Sequence, residues 1–276
     1  MNLFVALAIV LGSTAVAIAV MLAVRRGAPE GSYFADGDRA AGVFGVLATG
    51  FAVLLGLVVV LAFTSYDASR SGAEDEATIV GQQYEVAQLM APSGGRRLAA
   101  ELVCYARSVV LQEWPQMEHG EQPDGLNPWG AELFRTLRGI DPQTASEQAA
   151  YAKWLDQRLD REAARSDRIH GAAGVIPAPL WIILFLTAAV IAAFMLLFAD
   201  SGERAFVQAS LIGTVVLVMS STLLLIYVLD NPYGKGLGQL RPTAMTRTLR
   251  LLDQERRIAG DTTLPPCDAR GIARAA

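Results

Sequence analysis

Four apolar runs, Leu3–Val24, Ala40–Thr64, Ala178–Phe198 and Ala205–Leu229, constrain this chain more than any other feature. Each holds at least twenty residues with no Asp, Glu, Lys, Arg or His inside. At about 1.5 Å of rise per residue, a helix of that length crosses the roughly 30 Å hydrocarbon core of a bilayer. The expected fold is therefore all-α: a polytopic membrane protein with four transmembrane helices, its natural partner membrane lipid. The first run is preceded by no Lys or Arg and followed by Arg25-Arg26, so it reads as a retained span, not a cleaved signal peptide.

The spacing of the runs sets the layout. Short polar loops, Arg25–Arg39 and Ala199–Arg204, turn each pair of spans into an antiparallel hairpin. The expected organisation is a hairpin over residues 1–64, a helical polar domain over 65–174, a second hairpin over 175–229 and a tail over 230–276. Asp67–Met90 continues span two as helix, with Gly72 an isolated weak point, and Pro92-Ser93-Gly94-Gly95 breaks the chain. Arg96–Trp114 places Leu98, Leu102, Tyr105 and Val109 on one core-facing stripe, and Pro115 ends that helix. Residues 116–130 read as loop. A helix from Gln143 to His170 aligns Ala145, Ala149, Ala152, Leu155 and Leu159, with Arg158 and Glu162 able to pair at i, i+4. The tail offers one helix near 242–258 and a disordered end from Gly260 through Pro266. No strand is expected.

Charge narrows the function classes. The net charge of −4 gives no support for a nucleic-acid partner. The spans lack the intramembrane charges that proton-coupled transporters and voltage sensors need. Near span ends, the middle-domain and tail side carries eight cationic residues (Arg70, Arg158, Arg161, Arg165, Arg168, Lys235, Arg241, Arg247). The opposite side carries four (Arg25, Arg26, Arg39, Arg204). The positive-inside rule then favours cytoplasmic termini and a cytoplasmic middle domain. Cys104 and Cys267 lie far apart in sequence and are expected as unpaired thiols.

Candidate chemistry is sparse. Thr49 in span two and Ser210, Thr214, Ser220, Ser221 and Thr222 in span four can donate to an anion, although bonding to their own helix is the commoner use. Ala48, Ala52 and Gly56, with Gly42 and Gly45 before them, permit close helix approach, within a subunit or around an oligomer axis. Asp67 and Arg70 are placed to pair where span two leaves the bilayer, with Tyr66 at headgroup level. Glu74-Asp75-Glu76 reads as a solvated acidic face, and Glu113-Trp114-Pro115 as an anchor against the membrane surface or a neighbouring helix. His119 and His170 are lone. No metal site, cofactor motif or nucleophile signature is present, so an enzyme is disfavoured.

Four stretches carry a resemblance: Val53–Arg70 (VLLGLVVVLAFTSYDASR), Glu113-Trp114-Pro115, Pro179-Leu180-Trp181, and Leu229-Asp230-Asn231-Pro232-Tyr233-Gly234. In order and spacing they resemble the bestrophin-like family of bacterial membrane proteins, distant kin of bestrophins. The resemblance implies a homo-oligomeric, passive anion channel with cytosolic termini and span two lining the pore. Thr49, Val53, Leu54, Leu57, Val58 and Leu61 are then the candidate wall. The segments around Tyr66, Asp67, Arg70, Glu113, Trp114, Pro115, Asp230, Asn231 and Pro232 are motif positions. The paired tryptophans usual after that Tyr-Asp are absent, with Ala68 and Ser69 near their positions, and no calcium-clasp pattern appears. The rival reading is a non-conducting scaffold or sensor whose polar domain binds a protein.

Overall fold

A computed structural model describes residues 2–123, 125–236, 238–260 and 264–274. Its elements are helical throughout: α1 (Leu3–Arg25), α2 (Gly37–Ala87), α3 (Pro92–Ser108), a π turn (Val109–Glu113), α4 (Trp114–Glu118), α5 (Pro128–Arg138), α6 (Ala145–His170), α7 (Ala178–Leu196), α8 (Ala205–Asp230) and α9 (Thr243–Ile258). Among the described residues the only β pairing is two isolated bridges, Tyr233 with Leu240 and Cys267 with Ala273. Four helices, α1, α2, α7 and α8, are long and apolar enough to cross a membrane. The chain divides into two compact units. One comprises Met1–Ser65, Val175–Asp230 and Lys235–Gly238; the other comprises Tyr66–Gly174, Asn231–Gly234 and Gln239–Ala276.

The first unit holds the apolar helices. Met21 and Ile18 of α1 pack with Ile212 and Val216 of α8, so α1 finds a neighbour in the last span. Gly213 sets the closeness of that crossing: a Cβ there would meet Ile18 Cδ1 at 2.9 Å. Phe51, Val58 and Ala62 of α2 pack with Leu184 and Ile191 of α7 and Ile226 of α8. The two short loops are joined: Arg25 donates to Ser201 O at 2.9 Å, and Tyr33 N–H donates to Leu197 O at 3.2 Å. Asp230 closes the far end, its Oδ1 accepting from Val175 and Ile176 N–H at 2.8 and 3.0 Å just before α7. Most span hydroxyls bond their own helix: Ser210 to Val207 O, Thr214 to Ser210 O, Ser220 to Leu217 O and Thr222 to Val218 O.

The second unit is a helical bundle. Leu98, Leu102, Tyr105 and Val109 are buried together, as the α3 stripe predicts, against Leu133 and Leu137 of α5 and Trp154 of α6. Several local expectations are corrected. Pro92 opens α3 at its first turn, where the missing N–H costs nothing. Pro115 does not end the helix. The Trp114 N–H reaches back to Val109 O, and this wider turn lets the chain continue through Pro115 to Glu118. Residues 128–138, left without a helix by the sequence pattern, form α5, capped by Asn127 Oδ1 on Trp129 N–H at 3.0 Å. Gly72 is no weak point: α2 runs through it, and a Cβ there would meet Ala164 O at 2.7 Å, so α6 crosses at this position.

The buried face of α6 is also not the alanine stripe. Ala145, Ala149, Ala152 and Leu159 are exposed, whereas Ala150, Trp154, Gln157, Arg161, Ala164 and Arg168 are buried. The physical reason is that a polar face can be buried when its charges find partners, which an apolar-periodicity argument does not register. The expected disordered end is ordered where it is described, with residues 261–263 outside the described set. Cys267 forms a disulfide with Cys104, so the expected free thiols are paired. Gly271 O accepts from Trp129 Nε1–H at 2.6 Å, and Arg270 O from Gln112 at 2.9 Å.

Gly213→Val is expected to destabilise the detergent-solubilised protein by about 1–3 kcal/mol through overpacking against Ile18. Gly50→Val, where a Cβ meets nothing within 4 Å, serves as control and leaves Tm near wild type.

Candidate functional site

Two arrangements, one in each unit, carry the chemistry. The first is the face that α2 leaves open in the first unit. Phe51, Val58 and Ala62 recur on the packed side, while Thr49, Val53, Leu57 and Leu61 recur every four residues on the opposite side. Val53 and Leu57 are 59% and 66% exposed within the chain, and Val58 only 3%. Leu54 sits half-buried at the boundary. The six candidate wall residues are thus divided: four lie on the open face, and Val58 belongs to the packed one. Gly42, Gly45, Ala52 and Gly56 share the open face with Thr49, giving it small side chains and no fixed charge.

The second is a buried ionic network in the second unit. Arg168 on α6 is fully buried and bonds Glu76 of α2 and Glu113 of the π turn at once. Glu113 Oε1 also accepts from Arg165 Nη2 at 2.9 Å and from Asn127 Nδ2 at 2.9 Å. Glu76 Oε1 accepts from Tyr105 Oη at 2.6 Å. Tyr233 Oη donates to the Arg168 carbonyl, and its ring meets Trp114 edge-on at 5.2 Å. The π turn is what aims Glu113 inward, since it rotates the chain relative to a regular helix at that residue.

Electrostatics follows from the geometry. Burial alone would raise the Glu113 pKa, but the Arg168 and Arg165 guanidinium groups outweigh it and hold the carboxyl below its ordinary value. Burial and the adjacent Glu76 carboxylate push the Tyr105 phenol well up. Burial lowers the tendency of Arg168 to hold its proton, yet Glu76 and Glu113 reverse this, so it stays charged.

The motif positions therefore land unevenly. Glu113 is a counter-ion and Trp114, 2% exposed, packs on Tyr233, so neither lies on an open surface of the unit. Pro115 starts α4. Asp67 and Arg70 do not pair: Arg70 bonds Glu74 at 3.2 Å instead, on an exposed face. The acidic triplet splits, with Glu74 and Asp75 exposed and Glu76 buried. Pro232 O accepts from Leu240 N–H at 2.8 Å, which fixes the turn that carries Asn231 and Tyr233. Arg158 and Glu162 pair at 2.9 Å as expected. Sequence reasoning missed Glu76, Arg168, Tyr105 and Tyr233 as one group. The available signal was the alignment of Trp154, Arg161, Arg165 and Arg168 along one side of α6. Among the described residues no group of three or more His, Cys, Asp or Glu is placed to hold a metal.

Removing one partner of a buried ion pair strands the other charge, so Glu113→Gln and Arg168→Leu should each cost about 3–5 kcal/mol in thermal or denaturant unfolding. The pH dependence has a definite sign. An unfolded glutamate titrates near about 4.3, and folded Glu113 lies lower. Its stabilising contribution is fully present above that value and is lost as pH falls through the folded pKa. Tm should fall on acidification below about pH 4.3 in wild type, and less steeply in Glu113→Gln.

The relatives bear on what these arrangements are for. A model of the bestrophin-like domain matches residues 8–245. No curated protein matches the sequence. Crystal structures of two point variants of a bacterial bestrophin homologue from Klebsiella pneumoniae match with TM-scores of 0.68 and 0.65 at 13% and 15% identity. They cover 88% and 91% of this chain and 98% and 97% of theirs. A structure described as a membrane protein matches with a TM-score of 0.66 at 12% identity, covering 92% of this chain and 99% of its own. Identity that low speaks to fold alone, and the fold agrees along nearly the whole length. The family match over residues 8–245, in an all-helical membrane protein with four apolar helices, shows that this chain belongs to the bestrophin-like family.

Proposed function

We propose that the chain is the subunit of a homo-oligomeric, passive anion pathway in a bacterial inner membrane. Its spans enter as two hairpins, and the open face of α2 lines the pore. The observation that carries this is the two-sidedness of α2: one face is packed on α7 and α8, and the other is apolar, uncharged and rich in small residues. A ring of such faces, with Val53, Leu57 and Leu61 inward, makes a hydrophobic constriction that passes weakly hydrated anions more readily than strongly hydrated ones. Thr49 offers a hydroxyl donor on the same face, where no fixed countercharge would trap the ion.

Planar-bilayer recording of the purified protein tests this. Anion-selective current is expected, and silence under every anion gradient overturns the reading. Leu57→Ser should raise conductance by wetting the neck, while Val58→Thr, on the packed face, should leave it unchanged. The scaffold alternative draws on the exposed Ala145, Ala149, Ala152 and Leu159 face of α6. A closed ring with Leu57 crosslinking to its counterpart favours conduction, and a monomer favours the scaffold.

Orientation is the second part of the proposal, and it departs from the charge count. The Cys104–Cys267 disulfide supports the oxidising, extracytoplasmic side for the polar segments, because thiols are kept reduced in the cytosol. The charge rule loses force over a loop as long as residues 65–174, whereas the short loops bearing Arg25, Arg26, Arg39 and Arg204 are where it applies best. Cys104 and Cys267 are fully buried, so impermeant maleimide in spheroplasts is aimed at an exposed position. A cysteine placed at Gly125 should react without reductant. Labelling only after lysis would return these segments to the cytoplasm.

A further inference from the structure

From the charge balance around Arg161 in the second unit we infer a binding site for a small oxyanion, built on Arg161 at a cavity of about 360 Å³. Asn127, Phe134, Arg158, Arg161, Glu162 and Arg165 line that cavity. Four guanidinium groups, those of Arg158, Arg161, Arg165 and Arg168, stand against three carboxylates, those of Glu76, Glu113 and Glu162. Arg168 is shared between Glu76 and Glu113, Arg165 is bound to Glu113, and Arg158 pairs with Glu162 at 2.9 Å. Among the described residues Arg161 has no carboxylate.

Arg161 is 1% exposed, so its charge is desolvated in this structure. Its Nη1 donates to Gln83 Oε1 at 2.6 Å, while Nε and Nη2 have no hydrogen-bond partner. The guanidinium stacks over Tyr105 at 4.7 Å and lies 5.7 Å from the Trp154 ring. Ring faces attract the cation but accept no in-plane hydrogen bond from the two free donors. A buried charge left in this condition is costly.

The two unpartnered donors name the ligand chemistry. Nε and Nη2 form the side-on fork of a guanidinium, the same pair through which Arg165 grips Glu113 at 3.2 and 2.9 Å. At Arg165 both donors meet the single oxygen Oε1 of Glu113, and the same fork can also take two oxygens of a carboxylate, bicarbonate or phosphate, the bidentate geometry in which a guanidinium binds most strongly. Arg158, whose Nε is also buried and unpartnered, supplies a further donor on the same wall. The site is separate from the open face of α2 and does not depend on conduction.

The test is a thermal titration of the purified full chain with sodium phosphate, sodium acetate and sodium chloride at matched ionic strength. Either oxyanion is expected to raise Tm by about 5 °C at about 100 Kd, with chloride having no such effect. A response to phosphate alone or acetate alone supports the site and identifies its ligand. Arg161→Met should abolish the gain. Should that variant fail to fold, Ala131→Trp fills the cavity mouth with Arg161 intact and should abolish it as well. No gain in wild type, an equal gain with chloride, or a gain that survives in both variants overturns the inference.

Discussion

One buried guanidinium organises the polar half of this molecule. Arg168 draws Glu76 of α2 and Glu113 of the π turn toward the same point, and its carbonyl accepts the hydroxyl of Tyr233 from the turn after α8. Three stretches separated by dozens of residues meet because one charge without water requires two carboxylates beside it. The position of the π turn, the inward aim of Glu113 and the burial of Glu76 all follow from satisfying that group. The depressed Glu113 pKa expresses the same attraction.

The same rule, applied two turns earlier on α6, leaves something unmet. Arg161 occupies the equivalent buried face, stacked on Tyr105, but the carboxylates are already engaged. A chain that satisfies one buried arginine with three ionic contacts and leaves its neighbour with two idle donors invites an external anion there. Both arginines belong to one extended set of charges, so binding at Arg161 would be felt by Tyr105 and, through it, by Glu76.

In the apolar unit the organising constraint is different. Lipid offers no hydrogen bonds, so each span closes its own backbone, and the hydroxyls of α8 bond the preceding turn. Packing then rests on shape. Gly213 admits Ile18 at the α1–α8 crossing, and the phenylalanines Phe34, Phe44, Phe194 and Phe198 stack near the loop end. What remains unpacked on α2 is the face bearing Thr49, Val53, Leu57 and Leu61.

The sequence by itself determined the four spans, the helical class and the α3 core stripe, because length, lack of charge and apolar period are properties of a local stretch. The motif segments also pointed to the family. Only the tertiary structure decided which side of α2 is open, since Val58 and Leu57 differ in what lies beside them and not in chemistry. It likewise decided that α6 buries arginines in place of alanines, that Pro115 continues a helix, that Glu76 leaves the acidic face, and that Cys267 meets Cys104. Each of these depends on a partner distant in the chain, and the energy of a charge, a proline or a thiol is set by that partner and not by its own neighbours in sequence.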